Sequence, residues 1–333
     1  MGTLQQGAYN AINISLKVQP QEKVVIIGER DNLETAQALE AEALKITDRV
    51  SLFIMEDFGR RPVAWPNSME KEYVDTDVSI YVASGVGNEI VIFRTPMIRA
   101  IHANPNIRHA HLIGMNKEIM ADGMCTDFKK VKAVGDWLYN KVKEAREITV
   151  TSPAGTNLVV EFTPSYDWVL SDGFINKGNS ENLPPGEVFT TPINVNGRMV
   201  IDGCLGDRFS EEYGDLASSP ISLRIKDSWV VPDSIDCQNL QLQQELIDYL
   251  FNQEENSSRV GEFAFGINTE LKGFIGNLLQ DEKFPGIHLG FGTTSPEQTK
   301  AEWTCATHLD GVMRYTNVVV DGEMVMKKGE YLK

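Results

Sequence analysis

Cysteine and histidine are scarce in this chain, and neither is arranged as a thiolate metal site needs. The four cysteines, Cys125, Cys204, Cys237 and Cys305, lie far apart and form no CxxC pair, which argues for packed free thiols over a zinc site or a disulfide scaffold. The five histidines are His102, His109, His111, His288 and His308, so a histidine-bearing site must draw on that short list. Long apolar runs are missing too. None reaches the roughly 20 residues that cross a bilayer, and the start, MGTLQQGAYNAINISLKV, has no basic segment leading into an apolar one. Positive charge is short, with 31 Lys and Arg against 47 Asp and Glu and a net charge of −16, a balance that repels phosphate backbones and anionic lipid. The expectation is a cytoplasmic protein with no nucleic-acid or membrane partner. A dinucleotide fingerprint is also absent: after the first strand, where it wants three glycines, the chain reads GERDNLET, and SGVGNE (84–89) lacks the third glycine and the partner acid.

What is present is a globular composition, 42% apolar and 23% charged over 333 residues. At roughly 100 to 200 residues per domain, two domains are the natural prior. KVVIIGE (23–29), VSLFIME (50–56), DVSIYVAS (77–84) and HAHLIG (109–114) read as strands. Helical patterns at 31–47, about 89–103 and 126–148 alternate with them. The first of these helices should be capped by Asp31 or Asn32 and bury Leu33, Ala36, Leu39 and Ala43; the last should bury Phe128, Val131, Val134, Leu138 and Val142. Strand–helix alternation predicts a Rossmann-like α/β domain with a parallel sheet over residues 1–147, without a bound nucleotide. From 148 the composition shifts. ITVTSPAGTNLVVEFTP reads as a hairpin, strands and glycine turns follow, and NLQLQQELIDYLFNQ (239–253) is a clear helix. This predicts an α+β domain over 148–333.

Candidate chemistry is sparse in the first half. His109 and His111 stand two apart on a predicted strand, so they share a face and in principle chelate one metal; surface or cleft histidines are the plainer reading. The second half is denser. THLDG (307–311) sets His308 and Asp310 side by side on an extended backbone, and IHLGFG (287–292) carries His288 between glycines that allow a close approach. GEVFTTP holds Glu187 and GEFAFG holds Glu262, each in apolar surroundings. A buried acid needs a partner to offset its desolvation, and a shared metal is one such partner. Two glutamates, two histidines and an aspartate fit a two-metal hydrolase site, although each acid taken alone also reads as a turn residue or half of an ion pair.

The ordered set NLPPGEVFTTP, VGEFAFG, LLQDEKFPGIHLGFG and THLDG resembles the aminopeptidase T and aminopeptidase S family of thermophilic metallopeptidases. The resemblance covers most of 148–333 by motif order and the first half by architecture only. It implies that Glu187, Glu262, His288, His308 and Asp310 hold two divalent ions (zinc, cobalt or manganese), with Glu262 bridging, and that Glu187 or Glu262 transfers the proton. It also implies a peptide or small-molecule amide as substrate, and a homodimer. One position departs from the family pattern, which has tyrosine seven residues after the strand histidine; here it is Ser295. The expected function is thus a metal-dependent aminopeptidase. Ring-cleaving dihydroxypyridine dioxygenases, which use one Fe(II) on two histidines and an aspartate, resemble the chain at His308 and Asp310, but Glu262 stands where they carry histidine. A non-catalytic binding protein on a degenerate peptidase fold is the third reading.

Overall fold

The computed structural model describes residues 2–58, 64–84 and 90–333. Two of the apolar runs are buried at every position, as strands covered on both faces must be: β1 (Val24–Gly28) and β3 (Val78–Val82). With β2 (Val50–Ile54) and β4 (Arg108–His111) they form a parallel sheet in the order β2-β1-β3-β4, and the short strand Ser180–Asn182 adds to β4, also parallel. Helix Leu33–Ala43 buries Ala36, Leu39 and Ala43. It packs so closely that a Cβ on Gly28 would come within 2.7 Å of Ala36. Its start differs from expectation. Asn32 occupies the cap position but spends its side-chain amide on the Met115 carbonyl, and the chain enters through a 3₁₀ turn, Arg30–Asn32. Helix Thr95–Ala103 follows a π-helical turn, Ile90–Arg94; residues 85–89 of the SGVGNE segment lie outside the described residues.

The rest of the chain is built from antiparallel sheets. The expected hairpin forms, Glu147–Thr151 against Asn157–Glu161, as part of an eight-stranded antiparallel sheet. A second antiparallel sheet runs β9-β8-β7-β6-β5, where β5 is Val169–Ser171, β6 Glu187–Thr190, β7 Val260–Gly266, β8 Gly286–Gly292 and β9 His308–Met313. Val260, Phe263, Phe265, Ile287, Leu289, Phe291, Leu309 and Met313 of this sheet share one core with Ile148, Val150, Leu158 and Val160 of the other. Helix Leu240–Phe251, capped by the Asn239 side chain on two backbone N–H groups, adds Leu242, Leu246 and Leu250. The chain is therefore an α/β domain followed by an α+β domain. All four cysteines are free, and three of them are buried.

The compact units do not break at 147/148. One comprises Met1–Phe128 with Gly173–Pro185, the other Lys129–Asp172 with Gly186–Lys333. Helix Phe128–Val142 sits with the second unit because Val131, Val134, Leu138 and Val142 enter the same core as the antiparallel sheets. Residues 173–185 return to the first unit because they carry the fifth parallel strand.

Candidate metal centre

Strand register decides which side chains meet. Directly opposed residues of an antiparallel pair point to the same face. Gly266 opposes Glu187, Ala264 opposes His288, and Gly290 opposes both Glu262 and Asp310; Gly292 opposes His308. Glu187, Glu262, His288, His308 and Asp310 therefore share the face turned away from the core, although they span four strands. Small residues, Ala264, Gly266, Gly290 and Gly292, stand opposite each of them.

Two donor groups result, Glu187–Glu262–His288 and Glu262–His308–Asp310, with the donor atoms of each within 4.8 Å of one another and Glu262 common to both. His288 Nε2 lies 3.2 Å from Glu187 Oε1 and 3.5 Å from Glu262 Oε1. His308 Nε2 lies 2.9 Å from Asp310 Oδ2. All but His308 are buried; the His308 side chain keeps 38% of its surface.

Three observations bear on whether a divalent cation fits. His288 Nε2 and Asp310 Oδ1 are buried and make no hydrogen bond, an arrangement that costs free energy unless another partner serves them. A Cβ on Gly290 would meet Asp310 Oδ1 and Glu262 Cβ at 2.9 Å and His308 Cε1 at 3.0 Å, so the glycine keeps open the point where the second group converges. The mixture of imidazole nitrogen and carboxylate oxygen suits a divalent cation of hard to borderline character. The donor set fits.

The acids also draw positive charge to themselves. Desolvation lowers the His308 pKa, but Asp310, Glu262 and Glu282 outweigh it and raise it to about 10. Burial of His288 is likewise overcome by Glu187 and Glu262, with a net upward shift. Burial pushes Glu187 up; Lys283 and His288 more than reverse this and bring it down to about 2.

Lys283 and Glu282 were not legible as site residues. The Lys283 side chain is 0% exposed, with Nζ 2.6 Å from Glu187 Oε2 and bonded to Glu282. Burial raises the Glu282 carboxyl to about 8 despite that ammonium. The available signal was the charged triplet Asp281-Glu282-Lys283, all three buried, set between LLQ and FPG. Ser295, at the departure from the family pattern, has left-handed backbone (φ +50) before a four-residue helix.

His109 and His111 do not form a chelating pair, nor are they surface groups, since both are buried. Arg94 can only donate, so it donates to His111 Nε2 at 3.1 Å. That leaves His111 Nδ1 to donate to His109 Nε2 at 3.1 Å, and His109 Nδ1 to donate to Ser79 Oγ at 2.9 Å. Every ring nitrogen is spent within this chain of hydrogen bonds.

A family model described as thermophilic metalloprotease (M29) matches residues 126–310. No curated protein matches the chain. Among solved structures, the fold is similar to that of 2,5-dihydroxypyridine dioxygenase from Pseudomonas putida KT2440, at 16% identity and a TM-score of 0.70 over 99% of this chain and 96% of that one. It is also similar to wild-type AmpT from Thermus thermophilus, at 16% identity and a TM-score of 0.67 over 99% of both chains. At such identities these two likenesses speak for the fold alone.

Proposed function

The chain belongs to the thermophilic metalloprotease (M29) family, and on that premise we propose that it is an aminopeptidase that removes N-terminal residues from peptides at a two-ion site. The observation that carries this reading is the meeting of five donors on one sheet face, three of them around Gly290, with His288 Nε2 and Asp310 Oδ1 buried and making no hydrogen bond. Glu187, Glu262 and His288 would hold one divalent ion, and Glu262, His308 and Asp310 the other, Glu262 bridging. Ions so held supply Lewis-acid activation of water and of the scissile carbonyl at neutral pH.

The chain's own groups do the rest. The acids of the cluster attract the free α-ammonium of a substrate. The proton from the attacking water passes to Glu187 or Glu262 and then to the leaving amine. Glu187→Gln and Glu262→Gln separate the two roles: the variant that keeps its metal and loses hydrolysis identifies the base. A homodimer, implied by the family resemblance, belongs to the same proposal and is tested by light scattering.

A second reading, one ferrous iron on His308 and Asp310 in a ring-cleaving dioxygenase, has the shared fold in its favour. Against it, the third donor beside that pair is Glu262 where a facial triad of that type takes a second histidine. Metal analysis of protein purified without chelator, with hydrolysis of an aminoacyl-nitroanilide and oxygen uptake with a dihydroxypyridine, decides between them. We expect two zinc, cobalt or manganese ions per chain, and His288→Ala should lose one ion and most hydrolysis. Oxygen uptake without amide hydrolysis, and unchanged metal in His288→Ala, would overturn the peptidase reading.

A further inference from the structure

We propose that Lys283 is a positioning residue for one of the two ions: it claims the outer oxygen of Glu187, so that this carboxylate meets the Glu187–His288 ion through Oε1 alone. The inference rests on the two-ion reading and adds a residue to it. A carboxylate has two equivalent oxygens, and a ligating glutamate free to rotate presents either, both or neither. In this protein the choice is made. Lys283 Nζ stands 2.6 Å from Oε2, while Oε1 faces His288 Nε2 at 3.2 Å.

The ammonium itself has nowhere to go. Its side chain is 0% exposed, its second partner is the adjacent Glu282, and its backbone is tied at both ends, the N–H donating to the Gln280 carbonyl and the carbonyl accepting from Asn268 N–H. The approach is close enough that Gly186, the residue before Glu187, could not carry a Cβ without meeting Asn268 and Lys283 side-chain atoms at 2.9 and 3.3 Å. Glu187 is thus held from behind by a fixed charge, as ligating side chains commonly are by groups one layer out. Among the described residues, Lys283 makes no ion pair with the Glu262–His308–Asp310 group, so the effect is confined to one ion.

The test is titration of metal-free protein with Co²⁺, followed by calorimetry and by visible absorption. Wild type should bind two ions, and His288→Ala identifies the step that belongs to the Glu187–His288 ion. Lys283→Met should weaken that same step by about 10 to 100-fold, the range for removal of a group that orients a ligand, and leave the other within a few-fold. Glu282→Gln/Lys283→Met removes the lysine together with its second carboxyl partner and guards against misfolding of the single variant; it should show the same selective loss. Equal weakening of both steps would mark Lys283 as merely structural, and no change in either would deny it any role, so each overturns the inference. Binding of a single ion by wild type would instead overturn the two-ion reading, and this inference with it.

Discussion

Gly290 is the residue on which the candidate centre is most sensitive to a single atom. Its backbone is extended and does not itself require glycine, but a methyl group there would lie against Asp310, Glu262 and His308. Gly290→Ala is expected to fold, with a loss of about 1–3 kcal/mol in the range usual for overpacking. Its metal content should fall below that of wild type at equal metal supply. A folded Gly290→Ala with its full complement of ions would show that the donors do not need that gap. Glu187 makes the complementary point: its chemistry depends on Lys283, ninety-six positions on, and on no near neighbour.

At the scale of elements, β4 is the strand with the most unusual content, RHAH buried at all four positions. Desolvation, with smaller contributions from His102 and Arg94, lowers the His109 pKa to about 3, and desolvation and Arg94 lower that of His111 as well. An unfolded histidine titrates near 6.5. Between about 6.5 and 3 the unfolded chain therefore binds protons that the folded one refuses, so stability is full above that window and falls with acid. Each such histidine contributes a slope of about 1.4 kcal/mol per pH unit. Denaturant melts of the protein between pH 7 and 4 should show this decline, and His109→Gln should flatten it. A slope unchanged in the variant would mean that His109 is protonated in the folded strand.

At the scale of the whole molecule, the second compact unit is assembled from two stretches of chain, 129–172 and 186–333. Its core includes four residues of helix Phe128–Val142. A fragment starting at 148 would leave that part of the core open to water, whereas one starting at 126 keeps it covered. Scanning calorimetry should give a cooperative transition for 126–333 and none for 148–333. Equal transitions would show the helix to be dispensable. Among the described residues, no helix is long and apolar enough to cross a membrane.

The local pattern of the sequence determined the class of each half, because period-two and period-3.6 apolar repeats report which faces an element buries. KVVIIG and NLQLQQELIDYLF became a strand and a helix within a few residues of where their patterns lie. It also determined that Glu187, Glu262, His288, His308 and Asp310 are in strands, and that glycines flank them. Tertiary structure alone decided that these strands pair in the register that brings all five to one face. A slip of one residue in any pair would have sent a donor into the core, and register is fixed by contacts between distant segments. It decided equally that His109 and His111 face each other across a hydrogen bond, that residues 173–185 lend a strand to the first sheet, and that Lys283 is buried against Glu187. A lysine beside two charged neighbours reads as a solvated turn until the fold closes over it, because desolvation is a property of the packed molecule and not of the segment.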